Sequence, residues 1–155
     1  MDAVVSRVPE QALEELSTAL WRVRRLLELL LFRLEEERLL ARADSARWLP
    51  GARREVDEVQ DRLHLAELVR ALGSEQVTAA LGLGSPATLR ELAAAAPEPW
   101  GHILGSHREA LVASVAAVRA LSEANRRWAE DAPGGAPPQV RVSPSLVDFL
   151  DDPLQ

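Results

Sequence analysis

The stretch WGHILGSHREALVASVAAVRALSEANRRW, residues 100–128, sets Trp100, Leu104, His107, Leu111, Ser114, Val118, Leu121, Asn125 and Trp128 at alternating steps of four and three. That is heptad spacing, and a helix built this way needs another helix to cover its seam. A Pro/Gly-rich break follows at residues 133–138, and then a short apolar and acidic segment, Val140 to Leu154. This tail has apolar side chains but too few residues to bury them alone. A rigid helical body carrying a mobile tail points to binding rather than catalysis.

Working towards the N-terminus, a second ladder runs Leu13, Leu16, Leu20, Val23, Leu27, Leu30, Leu34. It predicts a helix from near Pro9, a residue tolerated in a first turn, with Glu10, Glu14 and Glu15 at its positive end. No Gly or Pro interrupts it before Pro50, so it extends for about 40 residues and roughly 60 Å. Leu26, Leu29, Leu31 and Phe32 widen its apolar stripe beyond what one partner covers, which predicts two packed neighbours or an exposed patch. Pro50-Gly51 reads as a turn. A second helix is expected over residues 52–72, with Val56, Val59, Leu63, Ala66 and Val69 or Arg70 inward and Leu65, Leu68 and Leu72 on a flank. Residues 73–84 are a weak segment. Ser85-Pro86 then reads as a helix start for residues 87–96, and the third long helix covers residues 100–131. The prediction is an all-α fold: an elongated antiparallel bundle or coiled coil of three long helices with one or two short ones. Residues 1–132 form the helical domain, and residues 133–155 form a Pro/Gly linker with a flexible tail.

Composition narrows the function. The chain has 155 residues and a net charge of −6, against the basic surface that phosphate contacts need, so nucleic acid is not an expected partner. All 18 of its cations are Arg, and it has no Cys to supply disulfides or thiolate metal ligands. The most apolar stretch, Leu26 to Leu34, is interrupted by Glu28 and Arg33 and is too short to span a bilayer. A cytoplasmic protein without stable membrane insertion is expected.

No residue pattern marks a catalytic centre, a metal site or a cofactor. His102 and His107 do not share a helix face, and His64 belongs to another helix. The acids Glu35, Glu36 and Glu37 point in different directions and answer Arg33, Arg38 and Arg42. Gly82-Leu83-Gly84-Ser85 lacks the Lys of a phosphate loop. Arg126 and Arg127 read as partners for Glu123 and Glu130. Asn125, on the seam, either fixes register or offers its amide to a partner backbone. Trp128 adjoins the linker, where a partner could reach it. In the tail, Ser143-Pro144 starts a short helix whose Leu146, Val147, Phe149 and Leu150 could fold into a partner's groove.

The segment Leu26 through Arg70, with its leucines and the acidic run Glu35-Glu36-Glu37, resembles the FlgN family of flagellar export chaperones. So do the later pieces: Leu81-Gly82-Leu83, Thr88-Leu89-Arg90-Glu91-Leu92-Ala93, and Leu121-Ser122-Glu123-Ala124-Asn125-Arg126-Arg127-Trp128. The resemblance extends over roughly residues 12–130 and rests on the order and spacing of these pieces. It implies an ATP-independent chaperone that binds hook–filament junction proteins before secretion and docks them at the export gate. It places the binding determinants on the last long helix, at Leu111, Val115, Val118, Leu121, Asn125 and Trp128. Two other readings compete. One is a structural or self-associating coiled coil. The other is a bundle enzyme of the chorismate-mutase type, which typically includes a Lys in its cationic site.

Overall fold

The computed structural model describes residues 2–43, 45–131, 137 and 139–151, with side-chain surroundings from Pro9 onward. Its helices are α1 (Asp2–Arg42), α2 (Leu49–Ala80), α3 (Leu89–Ala95), α4 (Trp100–Glu130) and α5 (Pro144–Leu150), and a 3-10 turn at Ala46–Trp48 precedes α2. Among the described residues there is no strand, so the fold is all-α.

Several helix ends differ from expectation, each for a local reason. α1 continues back through Pro9 to Asp2, because a proline removes one backbone bond without forbidding helix on either side. The chain reverses between α1 and α2, and Pro50-Gly51 lies inside the first turn of α2, where a missing N–H is harmless. Gly73 does not stop α2. It faces α1, where a Cβ in its place would lie 3.5 Å from Leu16 Cδ1, so packing holds the helix through it. α2 stops at Gly82, whose φ of +70° suits a residue without a Cβ. There the Gly82 and Leu83 amides donate to the Ala79 and Thr78 carbonyls. Ser85 does not cap α3; it donates to Glu75. Thr88 takes that role and accepts from the Glu91 amide at 3.2 Å.

α1 is the shared element of the packing. α2 lies against it antiparallel: Leu16 meets Gly73 near one end, and Glu37 meets Arg53 near the other. α4 lies against it parallel, with Ser17 beside His107 and Leu34 beside Asn125. α3 packs on α4, whereas α2 and α4 scarcely meet. The ladder residues Leu16, Leu20, Val23, Leu27 and Leu30 are sealed in the core; of the residues that widen the stripe, Leu26 is buried, Leu29 and Leu31 are half-buried against the core, and Phe32 is 61% exposed. On α4 the buried residues are Leu104, His107, Leu111, Val115, Val118, Asn125 and Ala129. Val115 and Ala129 go in where the strict heptad names Ser114 and Trp128. Leu104, Leu111, Val118 and Asn125 keep the seven-residue spacing of the heptad, and the buried line departs from it only at these two intermediate rungs.

His107 is a core residue, 1% exposed. Its Nδ1 lies 3.2 Å from Arg24 Nη1 and its Nε2 lies 3.0 Å from Ser17 Oγ. A guanidinium only donates, so Nδ1 accepts, and the ring proton sits on Nε2 and points at Ser17. Trp21 meets the imidazole edge-on at 5.1 Å, and Arg24 lies 4.0 Å over the Trp21 ring. Burial, and then the Arg24 charge, hold the imidazole pKa down to about 4.

In an unfolded chain the ring titrates near 6.5. The folded value is lower, so the unfolded state takes up the extra proton. The stability contribution is whole above about pH 6.5 and is lost as the pH falls towards 4. Urea unfolding should show about 2.5 kcal/mol of this loss between pH 7 and about pH 4.5. His107→Gln should remove that part of the pH dependence, and an unchanged slope would refute the assignment. At the α3–α4 corner, a Cβ on Gly101 would come within 2.8 Å of the Ala93 carbonyl oxygen. Gly101→Ala is therefore expected to cost about 1–3 kcal/mol, read as a lower Tm; an unaltered Tm would mean that the corner can spread.

Candidate partner-binding site

Where the far ends of α1 and α4 meet the start of α2, Glu37, Arg38, Arg53, Asn125, Trp128 and Ala129 surround a cavity of about 90 Å³. That volume suits one medium-sized side chain, or about three waters at roughly 30 Å³ each. Asn125 and Ala129, four apart on α4, share its inward face and leave Trp128 42% exposed at the rim. The Asn125 Nδ2 donates to the Leu34 carbonyl at 3.0 Å. Because that carbonyl can only accept, the amide orientation is settled, and it leaves the buried Oδ1 without a hydrogen-bond partner. Beside it, Glu37 Oε1 lies 3.7 Å from Arg53 Nε. Burial pushes the Glu37 carboxyl above the usual range, and Arg53 opposes this. An orphaned acceptor, a carboxylate–guanidinium pair and an indole at the mouth can hold a peptide side chain and receive a donor that it carries.

The other residues named from the sequence lie elsewhere. Leu111, Val115 and Val118 are buried in the core, and Leu121 is half-buried against it. On the exposed side of the same helix, Glu123 accepts from Arg126 at 2.7 Å and from Arg127 at 3.3 Å. In the tail, Leu146, Phe149 and Leu150 are buried and Val147 is half-buried, because α5 returns to the body. Residues 132–136 and 138, most of the expected linker, lie outside the described residues.

Arginines seat α5. Arg70 of α2 is buried, donates to Ser145 Oγ at 3.2 Å, and places its guanidinium 4.3 Å from the Phe149 ring. Glu67 lies 3.4 Å from the same guanidinium, and burial raises its carboxyl above the usual range. Arg108 of α4 donates to the Leu150 carbonyl at 2.8 Å and to the Asp151 carbonyl at 2.9 Å. Cations there suit the negative end of the short helix. Upstream, the Arg141 amide donates to Gln60 Oε1 at 3.3 Å. The tail thus bridges α2 and α4, which scarcely touch each other directly.

One surface was read from the sequence only as a flank of Leu65, Leu68 and Leu72, and Val69 joins it because Arg70 takes the inward place. Leu65, Leu68, Val69 and Leu72 are all exposed on the outside of α2, with Leu68 at 53% and Leu72 at 66%. Their i, i+3, i+4, i+7 spacing was visible in the chain. What the spacing did not say is that, among the described residues, no helix covers them.

Among the described residues, no cluster of His, Cys, Asp or Glu could hold a metal ion, and no helix is long and apolar enough to cross a membrane. No family model, curated protein or solved structure matches the chain.

The orphaned Asn125 oxygen has a measurable consequence. Asn125→Leu removes one hydrogen bond and also the cost of a buried unmatched acceptor, each on the order of 1 kcal/mol, so its stability should stay close to that of the parent. Asn125→Asp sets a carboxylate against the Leu34 carbonyl and should destabilise by at least about 2 kcal/mol. Denaturant midpoints compare the two, and equal losses would disprove the orphaned-acceptor assignment.

Proposed function

We propose that this chain is an ATP-independent chaperone of flagellar type III export, holding an amphipathic helix of a hook–filament junction protein before secretion. On this reading it works in the cytoplasm as an elongated helical bundle and makes or breaks no bond. The supporting observation is the cavity between Asn125 and Trp128. A buried amide acceptor without a partner sits next to an exposed indole and wants a donor that a side chain of the incoming helix can carry into the cavity. The resemblance of residues 12–130 to the FlgN family names the partner class, and docking at the export gate belongs to the same proposal. A specific complex of this kind buries about 1,600 Å², so the cavity would be its anchor and not its whole extent.

The test is co-purification of the full chain with the junction proteins of its own genome, beside Trp128→Ala. Trp128 is exposed, so its replacement should leave the fold intact while weakening the complex by about tenfold or more, as loss of an aromatic anchor does. If the parent chain retains no flagellar substrate, the chaperone reading fails. If Trp128→Ala binds as well as the parent, the cavity is not the anchor.

A further inference from the structure

We infer that the outer face of α2, with the groove between it and α5, is a second docking surface that takes an amphipathic helix flanked by basic residues. The stripe Leu65, Leu68, Val69 and Leu72 forms one line of exposed apolar side chains on a helix whose opposite face is already spent on α1. Covering four such side chains with a partner helix removes contiguous apolar surface from water. The stripe continues sideways into a mostly apolar groove of about 830 Å³. Ala71, Ser74 and Thr78 belong to its α2 side and Phe149 to its α5 side. The small residues leave room for a helix to approach, and Arg70 beneath them fixes Phe149 in place.

Charge selects the occupant. Glu75 and Asp148 line the groove from α2 and α5. Asp57, Glu58 and Asp61 continue the acidic character along the exposed side of α2, where Arg54 and Arg62 are the cations. Asp61 and Glu75 lie nearly in line along the helix. A second copy of the chain packed antiparallel on this face would therefore bring Asp61 of one copy beside Glu75 of the other. Like charges held together oppose that pairing, and the chain's net charge of −6 adds to the repulsion. A helix with Lys or Arg on both sides of its apolar face meets the acids and buries the leucines together. This deepens the proposed function and rests on its reading of the chain as a holder of amphipathic helices, but it uses a face remote in sequence from Asn125 and Trp128.

The probe is a synthetic amphipathic peptide of about five helical turns, made once with Lys and once with Glu flanking the same leucines. Binding to the full chain is followed by fluorescence anisotropy. The Lys peptide should bind about tenfold or more tightly than the Glu peptide, and added salt should narrow the gap. Leu68→Glu with Leu72→Glu, on an exposed face and checked for folding by circular dichroism, should abolish binding. Glu75→Arg with Asp148→Arg should reverse the preference. Equal binding of the two peptides, or binding that survives the leucine changes, overturns the inference, as does failure of both peptides to bind. Concentration-dependent dimers that the leucine changes disperse would overturn it in favour of a second copy. In each of these cases capture of a junction protein through Trp128 still stands or falls by its own test.

Discussion

α1 must be covered on two sides at once, and most of the architecture follows from that demand. Its leucines form a stripe too broad for one neighbour, so α2 takes one side and α4 the other. With their buried faces spent mainly on α1, α2 and α4 make few contacts with each other. The remaining seam is closed by the returning tail, which bonds to Gln60 and Arg70 on α2 and to Arg108 on α4. Among the described residues, none is then left to cover the outer face of α2.

Polar groups are admitted to this interior at the junctions between helices. His107 joins α4 to α1 through Ser17 and Arg24, Asn125 joins the same pair through the Leu34 carbonyl, and Arg70 joins α2 to α5. Each is directional where leucine contacts are not, so each fixes the sliding register of the helices it links. Arginine suits the task better than lysine would. Its planar head lies over Trp21, Trp48 and Phe149 and donates along its edges in the same pose.

The three long helices were legible in the sequence because step-of-three-and-four spacing reports a buried helical face directly. Their ends were less so. Pro50, Gly73 and Ser85 are breakers or caps by local rule, yet a proline in a first turn costs nothing, a glycine pressed against Leu16 is held by packing, and Thr88 offers the better cap. The inward turn of Asn125 could be read from the ladder, but the next rung could be i+3 or i+4, and the fold buries the small Ala129 and leaves Trp128 at the surface. The docking of α5 was out of reach, since Leu146, Phe149 and Leu150 advertise burial without saying against what. Arg70 and Arg108 lie far away in the chain, and local spacing carries no sign of them. The bare stripe on α2 was hidden for the converse reason: a flank is exposed or covered according to how many helices the whole fold supplies.

The bond between Leu34 and Asn125 joins residues 91 positions apart. At ribosomal speeds of roughly 5–20 residues per second, an interval on the order of ten seconds separates the emergence of the two. Through that time α1 and α2 can close on each other as a hairpin, but the α4 side of α1 stands bare in the cell, a row of leucines waiting for its cover. A protein read as a guardian of other chains' exposed helices thus begins its own life as one of them.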